Sequence, residues 1–235
     1  MKQRSLKKEL LDQDMIPRDD LFRNLYELDV INKKLGGHAV TLKGLKQLQL
    51  RKDKTYKILD IGSGGGDTLK AIATWAADKG YSVELTGVDL KADCIDYARQ
   101  CCAAFNNITF LQADYRKLPE LNMEFDIIIT SLFCHHLTGE ELVSLFSWCS
   151  RQAKIAFIMN DLHRHPLAYY SIALFTRLFS RSYLVKNDAK LSVWRGFKKR
   201  ELEGLVLQSR LSACETKIYW CWAFRWLLII RSNDK

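Results

Sequence analysis

A chain of 235 residues favours one large α/β domain with a modest cap over two independent domains. Its composition, 48% hydrophobic and 27% charged, is that of a globular protein and excludes a disordered one. The formal net charge of +9, from 36 basic and 27 acidic residues, directs attention to anionic partners.

The opening MKQRSLKKELLDQ is basic but lacks the apolar core and small-residue cleavage site of a secretion signal, so a cytoplasmic location is expected. Residues 1–50 read as a helical cap throughout, with Leu21, Leu25, Leu28, Ile31 and Leu35 at helical steps and Gly36-Gly37 as a stop. From Tyr56 the pattern changes to short apolar runs separated by helical segments: KILDI, VELTGVDL, ITFLQAD, FDIIITSLF and KIAFIMND. Five strands alternating with helices predict a doubly wound, mostly parallel sheet within residues 51–235.

Beyond the fifth strand, Pro166 opens a predicted helix whose Leu167, Leu174, Phe175 and Leu178 form an apolar stripe, and Arg177 and Arg181 argue against a membrane span. Residues 186–200 hold six basic residues against one acid, which reads first as a solvated basic face, with nucleic acid or an anionic membrane surface as the contacts it would otherwise suit. Trp220, Trp222 and Trp226 near the end are expected to face the core or the cap. Seven cysteines without a CxxC read as reduced thiols, and Cys134-His135-His136 lacks the spaced partners of a zinc site, so no metal is expected.

The stretch ILDIGSGGGD, residues 58–67, leaves a strand and opens a helix. Glycines there let the backbone approach a ligand while the helix's first amides face its polar end. The spacing does not match the dinucleotide pattern, because a GxGxxG begun at Gly62 meets Asp67 and one begun at Gly64 meets Leu69. What stands is Asp60-x-Gly62-x-Gly64-x-Gly66, which resembles the first motif of the class I S-adenosylmethionine-dependent methyltransferases.

The resemblance extends from Lys57 to the C-terminus and implies a Rossmann-like seven-stranded sheet closed by KIYWCW and FRWLLIIR. It implies that Asp60 and the amides around Gly62, Ser63, Gly64 and Gly66 hold the cofactor's methionine end. Asp89 and Leu90 would lie at its ribose, Ala113, Asp114 and Tyr115 at its adenine, and Ser131 at the end of the fourth strand.

Transfer of a methyl group from a sulfonium asks mainly for alignment and exclusion of water, and a phenolic acceptor also asks for a base. The five histidines are the candidate bases. His163 and His38 form the preferred pair and His135 is a third candidate, while His136 reads as a helix-initiating residue. The N-terminal segment and an insertion at about 162–197, rich in Tyr, Phe and Leu, would build a pocket for an apolar, aromatic or lipid-like acceptor. INKKLGGHAVTLKGL, DLHRHPLAYY and LSVWRGF resemble bacterial small-molecule methyltransferases of the quinone and polyketide type, often phenol O-methylating. Arg164 and Arg195 read as surface charges.

The alternatives are methylation of RNA or protein, motivated by the positive charge, and a catalytically silent cofactor-binding scaffold. Nucleic acid is disfavoured as a partner, since no appended binding module is present. The sequence carries no signature of an oligomeric state.

Overall fold

Seven short apolar runs become the seven strands of one sheet in the computed structural model, which describes residues 1–13, 15–121, 123–211 and 214–232. They are β1 (Thr55–Ile61), β2 (Ser82–Asp89), β3 (Ile108–Gln112), β4 (Phe125–Ser131), β5 (Ala153–Leu162), β6 (Cys214–Cys221) and β7 (Arg225–Ser232). The strand order is β3-β2-β1-β4-β5-β7-β6, with β1 to β5 parallel and β7 antiparallel to both its neighbours. This is the doubly wound, mostly parallel sheet expected.

Covering helices explain why the central runs are continuously apolar, since a parallel sheet buries both faces. The helices are α1 (Arg18–Lys34), α2 (Gly37–Gln47), α3 (Asp67–Lys79), α4 (Ala92–Cys101), α5 (Gly139–Gln152), α6 (Pro166–Phe179), α7 (Tyr183–Arg195) and α8 (Lys199–Gln208). Leu59, Ile61 and Ile128 pack with Leu142 and Phe146 of α5 and Leu202 of α8. Ile58, Ile127 and Ile129 turn to the opposite face, against Leu69, Ile72 and Ala76 of α3 and Leu45 of α2. The register pairs Asp60 with Gly87, Ile61 with Thr130 and Ser131 with Asn160. The polar residues at the strand ends thereby collect on one edge, beside the β1/β4 switch point where ligands of such sheets bind.

Four expectations need correction. Among the described residues up to Pro17, the only helical turn is a 3-10 turn at Leu10–Asp12. Pro17, at the N-cap of α1, disfavours a helix leading into it, and Asp188 captures the amides of Leu10 and Leu11 at 2.9 Å each. These residues form a strap lying against α7.

The stripe on α6 does not pack inward, because Leu167, Leu174 and Leu178 are exposed and only Phe175 among the four is half-buried. Trp226 is buried as expected, but Trp220 on the edge strand β6 and Trp222 at the hairpin tip are exposed. Residues 186–200 do not present one basic face, since α7 turns Asp188 and Arg195 inward while Lys186, Lys198, Lys199 and Arg200 stay outside.

Candidate active site

The chain leaves β1 through a loop that only glycine can form at its first turn. Gly62 has φ +71°, and a Cβ there would lie 2.3 Å from the Phe133 ring. The amides of Gly62 and Ser63 both donate to Val88 O, at 2.9 and 3.0 Å, and Gly64 N donates to Asp89 Oδ2 at 2.9 Å. The loop is thus stitched to the end of β2, beside the N-terminus of α3.

A cavity of about 370 Å³ opens over this loop. Asp60, Gly62, Ser63, Gly64, Asp89, Leu90, Ala113, Asp114, Tyr115 and Ser131 all line it. Gly66 does not, serving instead as the left-handed N-cap of α3.

Asp60 is fully buried and its Oδ1 has no hydrogen-bond partner among the described residues. Burial pushes its carboxyl well above the ordinary carboxylate range, and Asp67 and Asp89 push the same way. Such a group calls for a cation, and the ammonium group of S-adenosylmethionine is one. The Ser63 and Tyr115 hydroxyls are also buried and have no partner among the described residues. Unpaired polar atoms in a glycine-lined cavity fit this cofactor.

The other acids differ in their surroundings. Burial raises the Asp89 carboxyl, against the opposing hydrogen bonds from Lys91 N and Gly64 N. Asp114 is held low by the Arg116 guanidinium, whose Nε lies 3.0 Å away. Burial would raise Asp67 too, but His38 outweighs it: the His38 Nε2 contact is 2.8 Å and Asn32 Nδ2 donates at 3.1 Å. Asp67 so ties α1 and α2 to the start of α3.

A second cavity, of about 380 Å³, adjoins the first and shares Leu11, Leu28, Asn32, Leu132 and His136 with it. Its walls are apolar, from Ile31 of α1, Ala168, Ile172 and Phe175 of α6, Val185 and Val193 of α7, and Trp222 and Phe224 of the β6–β7 hairpin. Leu132, between the cavities, has φ +55°, a strained conformation for a branched side chain, and its amide is held by Asn160 O at 2.9 Å.

The two histidines after β4 lie at this junction. His135 is buried, with Nδ1 2.8 Å from Asp161 Oδ1 and Nε2 3.5 Å from Glu9 Oε1. Burial alone would lower its pKa, but Asp161 and Glu9 outweigh that and raise it to about 9. His135 is therefore an imidazolium at neutral pH, which disqualifies it as a base.

His136 has Nδ1 2.8 Å from Asp12 Oδ1, and its nearest other carboxylate oxygen, Glu9 Oε2, is 3.9 Å from Nε2. Burial opposes ionisation of Asp12, but His136 and Arg195 keep its carboxyl below the usual range. Glu9, His135 and His136 bring ligand atoms within 4.8 Å of one another. Arg195, with Nη1 3.1 Å from Asp12 Oδ2 and Nε 3.9 Å from Glu9 Oε1, already supplies the cation there.

The preferred histidines stand elsewhere. His163 lines neither cavity, and its Nδ1 accepts from Trp220 Nε1 at 3.2 Å. His38 lies behind Asp67, inside α2 rather than after a cap. His136 does not initiate a helix, because Thr138 caps α5 with Glu141 in a reciprocal pair. Arg164 and Arg195 are buried, the former paired with Glu201 at 2.6 Å and the latter donating to His135 O and His136 O. Asp12, Asn32 and Leu132 gave no sequence signal, since the fold alone brings them to the cavities.

Comparisons with known proteins agree with this geometry. Residues 58–168, just under half the chain, match a family model described as a methyltransferase domain. A Bacillus subtilis (strain 168) protein, "Putative methyltransferase YqeM", is 26% identical over 170 residues, 70% of this chain and 63% of that one. The ubiquinone/menaquinone biosynthesis C-methyltransferase UbiE of Coxiella burnetii is 33% identical over 95 residues, 39% of this chain and 37% of that one. The chain thus spans less than two thirds of either curated relative.

Among solved structures, the plantazolicin methyltransferase BamL, in complex with a triazolic desmethylPZN analog and SAH, aligns with TM-score 0.68 at 12% identity, covering 92% of this chain and 98% of that one. The magnesium protoporphyrin IX methyltransferase ChlM of Synechocystis PCC 6803, with bound SAM, aligns with TM-score 0.58 at 14% identity, covering 94% and 99%. Residues 58–168 are a methyltransferase domain, set in the fold of the S-adenosylmethionine-dependent methyltransferases, and S-adenosylmethionine is the cofactor that its glycine-lined cavity fits.

Proposed function

We propose that the whole chain is a small-molecule methyltransferase acting on the hydroxyl of an apolar aromatic acceptor, with His136 as the base. The observation that carries this reading is the pair of adjoining cavities, one lined by glycines and acids and the other apolar, with His136 in the wall of both. When bound, S-adenosylmethionine supplies a methyl group on a positively charged sulfur, already activated for displacement.

The chain supplies the rest. Asp60 and the Ser63 hydroxyl, both with unpartnered oxygens beside the loop, hold the methionine end, Asp89 the ribose, and Ala113, Asp114 and Tyr115 the adenine edge, while the amides of Gly62, Ser63 and Gly64 keep the loop in shape. With Nδ1–H donated to Asp12, the free Nε2 of His136 takes the hydroxyl proton of the acceptor. The Asp12 carboxylate stabilises the imidazolium that results. The apolar walls from α1, α6 and α7 exclude water and set the preference for an apolar ring.

A second reading, methylation at a ring carbon of the same deprotonated phenol, is favoured by the similarity to a C-methyltransferase. The same base serves both, because proton loss enriches the oxygen and the ring carbons alike. Incubation with S-adenosylmethionine and a panel of alkylated phenols and quinols, read by mass spectrometry and by the chemical shift of the new methyl group, tests both. Methylated product from wild type and not from His136→Ala supports the proposal. Cofactor binding without methylation of any phenol or quinol counts against it.

A further inference from the structure

Helix α6 has two apolar faces. Ala168, Ile172 and Phe175 roof the acceptor cavity. Leu167, Tyr170, Leu174 and Leu178, at steps of three and four residues, form a second stripe that faces outward, with exposures of 58, 70, 60 and 65%. Phe179, the last residue of the helix, and Tyr183 beyond it are exposed too. Trp222, 77% exposed, also lines the cavity, so apolar surface reaches the cavity's own wall.

The charges carried by this segment itself have one sign. No Asp or Glu occurs from residue 166 to residue 187, whereas Arg177, Arg181 and Lys186 are all exposed. Glu27 of α1 reaches this segment, but its Oε1 accepts from Arg181 N and Ser182 N, at 2.9 and 3.0 Å. Leucines on one side, an exposed tyrosine among them and arginines toward the C-terminal end make up the composition of a helix lying in a lipid headgroup layer. No helix among the described residues is long and apolar enough to cross a membrane. A second copy of the chain is the poorer occupant, because it would bring a second cationic rim against the first.

We propose that α6 docks the protein on an anionic lipid surface. Leu167, Tyr170, Leu174 and Leu178 enter the boundary between headgroups and acyl chains, Arg177 and Arg181 meet the phosphates, and the cavity under the same helix takes its acceptor from the membrane. The loading step rests on the function proposed above; the docking does not.

The test is co-sedimentation of the full chain with phosphatidylcholine vesicles, with and without phosphatidylglycerol, at low and high salt. Calorimetry with S-adenosylmethionine, run on each variant, reports folding and the cofactor site separately. Wild type is expected to bind the anionic vesicles and to release them as salt rises. Leu174→Glu with Leu178→Glu is expected to weaken binding at least about tenfold, with cofactor affinity unchanged. Arg177→Glu with Arg181→Glu is expected to remove the preference for anionic lipid.

Failure of wild type to sediment with either vesicle overturns the proposal, as does wild-type binding by the double glutamate variant. A wild-type dimer in sedimentation velocity that this variant converts to monomer overturns it too, and assigns the face to a second copy. Vesicle binding by a protein that ignores S-adenosylmethionine would sink the methyltransferase reading and leave the docking intact.

Discussion

His136 Nδ1 lies 2.8 Å from Asp12 Oδ1, a contact across 124 positions that joins the loop after β4 to the N-terminal strap. The strap is therefore part of the site, since it supplies the carboxylate that orients the one histidine shared by both cavities.

Removing the proposed base, by His136→Ala, should lower kcat roughly 10²–10⁴-fold while the calorimetric affinity for S-adenosylmethionine changes little. Asp12→Asn keeps the shape but loses the charge. It should cost kcat about 10–100-fold with KM for the acceptor nearly constant. A mutant of either kind with wild-type turnover would remove the pair from catalysis.

His163→Ala should leave turnover close to wild type, because His163 lines neither cavity. Its loss should show instead as about 1 kcal/mol of stability, through the Trp220 hydrogen bond. Denaturant titration beside a methylation assay separates these outcomes.

Asp60→Asn should act in opposite directions on binding and stability. Without cofactor the buried carboxylate has no partner on Oδ1, so neutralising it should stabilise the free protein by about 1 kcal/mol or more. Losing the charge should weaken S-adenosylmethionine about 10–100-fold. Because the folded pKa is raised, the folded state holds the proton longer than the unfolded state. Asp60 therefore costs stability progressively as pH rises above 3.8, and that loss should be missing from the variant's melting curves.

Breaking the buried pair by His135→Gln leaves Asp161 without its cation and should cost about 3–5 kcal/mol near neutral pH. His135 is raised in the folded state, from 6.5 to about 9, so its contribution is complete below about pH 6.5 and lost as pH climbs through 9. Wild type and variant should accordingly converge in melting temperature between pH 7 and 10. A constant gap across that range would contradict the assignment.

The loop glycines should separate by mechanism. Gly62→Ala drives a Cβ into Phe133 from a left-handed backbone, and a loss of about 2–4 kcal/mol or failure to fold is expected. Gly64→Ala has room, with Leu25 3.7 Å away, and bears mainly the cost of φ +50°, about 1 kcal/mol. Thermal melts of the two single variants compare them directly.

Local rules sufficed wherever a short segment decides its own state. The apolar runs had to become buried parallel strands, and the glycines of residues 62–66 had to mark a close turn into a helix. The acids Asp60, Asp89 and Asp114 lie at or just past strand ends, and a parallel sheet carries all such ends to one edge, so their convergence followed from the alternation of strands and helices.

The tertiary structure alone decided the rest, because long-range burial and pairing leave no local pattern. Asp12 meets His136, Glu9 meets His135, and Asn32 meets Asp67 only through the docking of the strap and α1. His135 and His136 are neighbours in sequence, yet one is buried between Asp161 and Glu9 and the other is held by Asp12 in the wall of both cavities, a difference set entirely by residues from elsewhere. Helical periodicity located the stripe on α6 but not the direction it faces, since an apolar face bound for the core and one bound for a lipid surface have the same spacing.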